Sequence, residues 1–94
     1  MTKSELIERI SITSGSLNKK EAELVVNTIF DSIGGALIGG ERVEIRGFGS
    51  FSIRLREGRE ARNPKSGVLV KIPSKKTPFF KTGKELRERV NTGL

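Results

Sequence analysis

Residues 54–76 have the sequence RLREGREARNPKSGVLVKIPSKK, and the rest of the chain is organised around this stretch. The central Asn63-Pro64-Lys65-Ser66-Gly67 predicts a turn, since Asn opens turns, Pro fixes φ at the second position and Gly tolerates positive φ on the way out. The flanking residues predict the two strands of a long β-ribbon. A lone two-stranded hairpin is marginal in water, so such a ribbon is expected to gain order from an anionic partner. The charge pattern alone also allows an ordinary solvated hairpin.

Basic side chains lie on both predicted strands. They are Arg54, Arg56, Arg59 and Arg62 on the outgoing strand, and Lys71, Lys75 and Lys76 on the returning strand. Residues 1–45 carry 5 basic and 7 acidic groups, a net charge of −2, whereas residues 46–94 carry 13 basic and 4 acidic groups, a net charge of +9. This asymmetry indicates that the second half meets a polyanion, and nucleic acid fits best. A membrane partner is not expected, since the sequence has no basic amphipathic helix and no apolar run of spanning length.

The chain is small for the surface that it must cover. It has 94 residues, of which 34% are hydrophobic. We predict one domain, residues 1–94, with a helical body over about 1–40, a sheet and β-arm over about 41–81 and a C-terminal helix over about 82–91. A core of this size stabilises a chain poorly by itself, so a dimer that shares one core is expected.

Three segments with a capping residue three positions before a Glu predict helix starts. They are Thr2-Lys3-Ser4-Glu5, Asn18-Lys19-Lys20-Glu21 and Thr82-Gly83-Lys84-Glu85, of which the Asn18 segment matches the capping box least well. The helices that follow are predicted over about Lys3–Thr13, Lys19–Ile38 and Gly83–Val90, with Gly15 ending the first and Gly39-Gly40 the second.

The second predicted helix carries an unusually wide apolar stripe. It consists of Ala22, Val25, Val26, Ile29, Phe30, Ile33, Ala36 and Leu37. The first helix offers only Leu6, Ile7 and Ile10 to cover it. We therefore expect a helix of a partner subunit to cover the rest; burial within one chain is the alternative.

The predicted strands show alternating polarity. Residues 41–46 place Val43 and Ile45 on the inward side, Gly47-Phe48-Gly49 predicts a tight turn, and Phe51, Ile53 and Leu55 continue the inward face into the ribbon without a break. On the returning strand, Val68, Val70 and Ile72 share a face opposite to that of Leu69 and Lys71. Pro73 and Pro78 lack amide donors, which predicts edge or bulge positions. Alternation allows only one of Phe79 and Phe80 to point into the core.

Enzymatic chemistry has little support in the sequence. There is no His and no Cys, so no imidazole activates a Ser or Thr and no thiolate metal site exists. The segment Arg46-Gly47-Phe48-Gly49-Ser50 lacks the ending and the following helix of a phosphate-binding loop. We expect no enzyme activity, no cofactor and no metal. With no apolar leader at the start, we expect a cytosolic protein.

Further cationic and amide groups are candidates for phosphate contacts. Lys3 lies at the start of the first helix, Gly83-Lys84 at the start of the third, and Arg42, Arg46 and Lys81 on the strands between.

Pro64 is the most specific single candidate. A lone turn proline needs no function, but a rigid apolar wedge at the tip of a basic ribbon, flanked by Arg62 and Lys65, could unstack a base step and kink the duplex.

Four segments give the chain a resemblance to a known family. Thr-Lys-Ser-Glu-Leu-Ile at residues 2–7, Arg46-Gly47-Phe48-Gly49-Ser50-Phe51, Arg62-Asn63-Pro64-Lys65-Ser66-Gly67 and Gly83-Lys84-Glu85-Leu86-Arg87 resemble the bacterial HU/integration host factor family of DNA-bending proteins. The resemblance extends in order over essentially the whole chain. Two departures stand out, since Thr82 replaces a frequent Pro and Glu60 adds an acidic group to the arm.

The resemblance implies an α+β fold in an intertwined dimer, with a helical body, a small antiparallel sheet and a protruding β-ribbon arm per subunit. It implies that two arms wrap double-stranded DNA through the minor groove and that Pro64 intercalates. Glu44 and Arg46 match strand positions associated with sequence preference in beta-type subunits of the family. The expected DNA-binding set is Lys3, Arg42, Glu44, Arg46, Arg54, Arg56, Arg59, Arg62, Asn63, Lys65, Gly67, Lys71, Lys75, Lys76, Lys81, Gly83 and Lys84.

The expected function is DNA bending that supports recombination, replication and transcription, by a protein associated with the nucleoid. The partner chain is either a second copy or an alpha-type subunit of the same family. The main alternative is a small basic RNA-binding accessory protein. Readers of single-stranded RNA usually expose aromatic rings for stacking, whereas this chain has no Tyr or Trp and most of its Phe residues have core or turn assignments.

Overall fold

The protein has an α+β fold, and the computed structural model describes residues 1–93. These form two compact units, Met1–Ala36 and a second that begins at Leu37. The elements in chain order are α1 (Lys3–Ser14), α2 (Lys19–Ile38), β1 (Val43–Ile45), β2 (Gly49–Arg56), β3 (Arg59–Arg62), β4 (Leu69–Ile72), β5 (Lys75–Thr82) and α3 (Lys84–Thr92).

The first two helices begin where the sequence predicts. The Glu5 amide donates to Thr2 Oγ1 at 3.2 Å, and Gly15 ends α1 with a φ of 67°. At the start of α2, the Glu21 amide donates to Asn18 Oδ1 at 2.8 Å and the Asn18 amide donates to Glu21 Oε1 at 3.1 Å. The segment that matches the capping box least well therefore forms the complete reciprocal box, which satisfies two amide donors that the helix cannot.

The core of the first unit is small. Ile7, Ala22 and Val26 are its buried residues, and Leu6 and Ile10 pack against them. Of the eight residues in the wide stripe on α2, two are buried, three are half-buried and three are exposed, namely Val25, Ile29 and Phe30. Ile29 is 49% exposed and Phe30 is 54% exposed, so burial of the stripe within one chain is the wrong alternative.

A three-stranded antiparallel sheet with the order β1-β2-β5 organises the second unit. β2 pairs with β5 over eight residue pairs, from Gly49 opposite Thr82 to Arg56 opposite Lys75. β5 is an edge strand, which confirms the edge position predicted for Pro78, a residue without an amide hydrogen.

The turn between β1 and β2 lies one residue earlier than predicted. The Phe48 amide donates to the Ile45 carbonyl at 3.0 Å, and Gly47 adopts a φ of 86°. Gly49 is already the first residue of β2 and is buried. Gly47 thus supplies the positive φ that the turn requires, while Gly49 serves strand pairing.

The prediction that the sheet continues into the ribbon without a break is wrong. β3 and β4 form a separate two-stranded sheet, with breaks at 57–58 on the outgoing strand and at 73–74 on the returning strand. Pro73 has no amide to donate to a ladder. Opposite it, a Cβ on Gly58 would stand 2.8 Å from the Ile72 carbonyl oxygen, so the strands approach closely where pairing stops. Leu55, predicted inward, is 63% exposed near this break.

The prediction of a capping box at the start of the third helix is also wrong. Gly83 occupies the capping position of α3 without a side-chain hydrogen bond. Thr82 belongs to β5, where it pairs with Gly49, and its hydroxyl donates to the Gly83 carbonyl at 3.2 Å. Sheet pairing holds Thr82 in the strand, so its side chain cannot cap the helix.

Candidate nucleic-acid interface

One face of the three-stranded sheet gathers many of the predicted binding residues. Directly opposed residues in an antiparallel pair share a face, and the face alternates along each strand. We call this side the polar face; it comprises Glu44, Ser50, Ser52, Arg54, Arg56, Lys75, Thr77, Phe79 and Lys81. Val43, Ile45, Phe51, Ile53, Leu55, Lys76, Pro78 and Phe80 lie on the opposite, mostly apolar face. Lys75 therefore joins Arg54 and Arg56, whereas Lys76 does not.

A cleft at the β1 end of the sheet collects further predicted residues. Its volume is about 280 Å³, and its lining includes Arg42, Glu44, Arg46, Lys81 and Gly83. Three cations and one carboxylate thus meet at one concave surface. This arrangement suits a phosphate or a base edge. The cations attract the negative charge of a phosphate, and the carboxylate accepts hydrogen bonds only from bases that present a donor.

The start of α3 contributes less than the sequence predicts. The Gly83 amide donates to the Phe48 carbonyl at 2.9 Å, so that amide is already occupied. A Cβ on Gly47 would stand 3.1 Å from Glu85 Oε2, so the carboxylate of Glu85, in the first turn of α3, lies close to the turn between β1 and β2. Lys84 remains exposed beside these groups.

The cationic groups are almost entirely free of acidic partners. Among residues 1–93, the ion pair formed is Lys84 Nζ to Glu88 Oε1 at 4.0 Å, between two exposed side chains. Exposed pairs of this kind are weak. The positive charge of the second unit is therefore available for an external polyanion.

The ribbon distributes its charges over two faces. β3 pairs with β4 so that Arg59 lies opposite Ile72 and Arg62 lies opposite Leu69. Glu60 lies opposite Lys71, a cross-strand pair of opposite charge. The acidic residue that departs from a purely basic arm thus stands beside a cation on its own face, and Arg59 points to the other face.

The tip has the turn predicted from the sequence. The Gly67 amide donates to the Asn63 carbonyl at 2.7 Å, and the Asn63 amide donates to the Val68 carbonyl at 2.8 Å. The Lys65 amide donates to Asn63 Oδ1 at 2.9 Å, and Gly67 has a φ of 70°. Asn63 and Gly67 thus shape the turn, which leaves the ring of Pro64 exposed beside Lys65.

Lys3 lies in the first turn of α1, in the other compact unit. The polar face, the cleft, the ribbon and the tip all belong to the second unit. Of the described helices, none is long and apolar enough to cross a membrane.

Phe79 and Phe80 make different contacts, on opposite faces of the sheet. The Phe80 ring packs on Phe51 and Phe48, with centroid distances of 4.9 Å and 5.4 Å. Phe79 lies on the polar face, and Arg54 Cζ stands 3.4 Å from its ring centroid. This second contact was not predicted from the sequence. It follows from the β2–β5 register, which sets Phe79 opposite Ser52 and beside Arg54 and which no local sequence pattern specifies.

Comparison with known proteins assigns the family. The sequence profile described as "Bacterial DNA-binding protein" matches residues 1–91. Together with the α+β fold and the basic sheet and ribbon, this match defines the class: the chain belongs to the HU/integration host factor family of bacterial DNA-binding proteins.

Individual relatives are similar over nearly their full lengths. Integration host factor subunit beta of Azotobacter vinelandii is 54% identical over 91 residues, covering 97% of this chain and 99% of the relative. The subunit beta of Stutzerimonas stutzeri is 55% identical over 91 residues, covering 97% and 98%. Both relatives are beta subunits, the type of subunit whose strand positions Glu44 and Arg46 resemble.

Solved structures share the fold. The Anabaena HU–DNA cocrystal structure superposes with a TM-score of 0.86 at 38% identity, covering 98% of this chain and 99% of that one. HU from Thermotoga maritima has a TM-score of 0.66 at 36% identity, covering 96% and 98%. The family resemblance expected from the sequence is therefore confirmed.

The first prediction concerns the packing that builds the cleft. A Cβ on Gly49 would stand 2.6 Å from both the Lys81 carbonyl oxygen and the Phe80 ring. Gly49→Ala is expected to lower the free energy of unfolding by about 1–3 kcal/mol, because backbone and ring must move apart. Urea unfolding at fixed protein concentration measures the change. Ser52→Ala, on the same strand, is the control and should change stability by less than about 0.5 kcal/mol. Equal stability of Gly49→Ala and the unsubstituted protein would contradict the packing argument.

Proposed function

We propose that the protein is an architectural DNA-binding protein that holds duplex DNA through the minor groove with the arms of two subunits and bends it by inserting Pro64. The observation that carries the proposal is the hydrogen-bonded tip, in which an exposed proline is fixed between Arg62 and Lys65 at the end of a basic ribbon. Family membership supports the coarser conclusion that the chain binds DNA and is not an enzyme.

The chemistry of Pro64 suits a wedge. Its ring is rigid and apolar and has no amide hydrogen that water must satisfy. Three hydrogen bonds around Asn63 fix the turn, so little conformational entropy is lost when the ring enters a base step. Unstacking one step costs a few kcal/mol, roughly, and the longer contact along a bent duplex offsets that cost.

Phosphate neutralisation supplies most of the proposed affinity. The residues assigned to phosphate or groove contacts are Lys3, Arg42, Arg46, Arg54, Arg56, Arg59, Arg62, Lys65, Lys71, Lys75, Lys76, Lys81 and Lys84. Of these residues, Lys84 has an acidic partner within ion-pair distance in the described chain, so the contacts made by the others release counterions without first breaking an ion pair. Sequence preference arises mainly from groove width and ease of kinking, with Glu44 and Arg46 in the cleft as the residues that refine it.

The binding unit is proposed to be a dimer in which residues 1–94 act as one domain. The exposed stripe of α2, including Ile29 and Phe30, supports this, since a second subunit would remove those side chains from water. An apolar depression of about 420 Å³ in the same unit, lined by Met1, Leu6 and Phe30 among others, offers a further surface for the partner. The partner is a second copy or an alpha-type subunit.

The protein would act on the bacterial nucleoid, in the cytoplasm, in recombination, replication and transcription.

Titration of the purified protein with a linear duplex tests the proposal. Saturation at low salt is expected to shorten the end-to-end distance of a 35-base-pair duplex in a FRET assay, and affinity should fall steeply as salt rises. Mass measurement of the protein alone and of its complex gives the stoichiometry, expected as two subunits per duplex. An alpha-type subunit is added if the chain alone is monomeric. Duplexes that stay straight at saturation would overturn the proposal, and preferential binding to RNA would favour the alternative.

A second prediction isolates the wedge. Pro64→Ala is expected to reduce the bend angle more than it reduces affinity, because the cationic contacts remain while the rigid ring is lost. The same FRET assay measures both quantities. Pro78→Ala is the matched control, since it removes a proline from β5 instead of the tip, and should leave the bend unchanged. An undiminished bend in Pro64→Ala would reject the wedge role.

A third prediction tests sequence preference. Arg46→Ala is expected to weaken binding to a preferred site more than binding to random duplex, by about 1–3 kcal/mol at the preferred site if the guanidinium contacts a base edge. Competition titrations against both duplexes measure the difference. Arg9→Ala removes the same charge from the exposed surface of α1 and should not change the ratio. Equal losses on both duplexes would exclude Arg46 from any role in specificity.

A further inference from the structure

The contact between Arg54 and Phe79 involves an aromatic ring that lies outside the cluster formed by Phe48, Phe51 and Phe80. Arg54 lies opposite Thr77, and Phe79 lies opposite Ser52, so the two side chains are diagonal neighbours on the polar face. Arg54 Cζ stands 3.4 Å from the ring centroid. At van der Waals contact between two flat groups, the guanidinium must lie face to face with the ring.

The ring has no comparable contact with the aromatic cluster. Phe80 makes the edge-tilted contacts to Phe48 and Phe51, on the other face of the sheet. Phe79 is partly exposed among small polar neighbours, Ser52 and Thr77, which leave room for a guanidinium to lie across it. The side chain with which it pairs carries a charge and has no carboxylate within ion-pair distance in the described chain.

Stacking uses the face of the guanidinium and leaves its hydrogen-bonding edge free. The five N–H donors of arginine lie in the plane of the group and match the oxygens of a phosphate. An arginine that is free in solution loses rotamer freedom when it binds, whereas one already held by a ring loses less. Affinity therefore rises without any added contact to the ligand.

We infer that Phe79 is a positioning residue that holds Arg54 on the polar face with its donor edge directed at a phosphate of the DNA backbone near the base of the arm. This inference rests on the proposed function, since it takes Arg54 as a DNA contact. It adds a residue that acts through another side chain and that carries no charge of its own.

A double-mutant cycle with purified full-length protein tests the inference. Phe79→Leu keeps an apolar side chain on β5 but removes the ring, and is expected to weaken binding to linear duplex by about threefold to tenfold. Phe79→Tyr retains the ring face and should restore tight binding. In an Arg54→Ala background, Phe79→Leu should cause no further loss, because the group that the ring positions is gone.

A measurement without DNA separates this inference from the proposed function. The ring current of Phe79 should shift the side-chain protons of Arg54 upfield in the NMR spectrum of the unsubstituted protein, and the shift should vanish in Phe79→Leu. Circular dichroism verifies that the variants fold, and the wild-type shift keeps the inference testable if Phe79→Leu does not.

The outcomes are distinct. Tight binding of duplex without an upfield shift of Arg54 would overturn the inference and leave the proposed function standing. An equal loss from Phe79→Leu in both backgrounds would also overturn it, since the ring would then act independently of Arg54. If the unsubstituted protein, alone and with an alpha-type subunit, left duplex DNA unbound, the proposed function would fail and the inference with it.

Discussion

The pairing of β2 with β5 is the constraint on which the second unit depends. Eight successive residue pairs, from Gly49–Thr82 to Arg56–Lys75, fix which side chains share a face. Because side chains alternate along a strand, a slip of one residue would exchange the two faces of β5. Lys75 and Lys81 would leave the polar face, and Phe80 would leave the cluster that it forms with Phe48 and Phe51. Gly49 secures this register, since only a residue without a Cβ admits the Lys81 carbonyl and the Phe80 ring so closely.

Stability and function draw on different parts of the chain. The buried core of the first unit consists of three residues, whereas α2 leaves a row of large apolar side chains in solvent. Charge is divided in the same way, with −2 on residues 1–45 and +9 on residues 46–94. The first half is thus suited to association with another protein chain and the second half to contact with a polyanion. A chain of this size that spends many residues on a basic ribbon has few left for its own core.

Local signals predicted local structure well. Both ends of α2 and the turn at residues 63–67 follow from capping and turn chemistry that involves residues three or four positions apart. The failures involve pairing between distant segments. Thr82 looked like a helix cap but is held in β5 by Gly49, and the ribbon looked continuous although Gly58 and Pro73 interrupt both strands at one level. The Arg54–Phe79 contact was missed for the same reason, since it depends on a register that no single stretch of sequence specifies. Of the candidate site, the composition of the arm was predictable, but which of Lys75 and Lys76 shares a face with Arg54 and Arg56 was not, and neither was the occupied amide of Gly83.

The paired interruptions in the ribbon have a mechanical consequence. Between the Arg56–Lys75 and Arg59–Ile72 pairs, neither strand takes part in a ladder, so a change of tilt there ruptures no cross-strand hydrogen bond. The tip keeps its own internally bonded shape, whereas no strand pairing at the break fixes its angle to the sheet. At this break a residue larger than Gly58 would collide with the Ile72 carbonyl, so glycine is what allows the two strands to approach this closely. The arm can therefore change its angle to the sheet without loss of strand pairing on either side of the break.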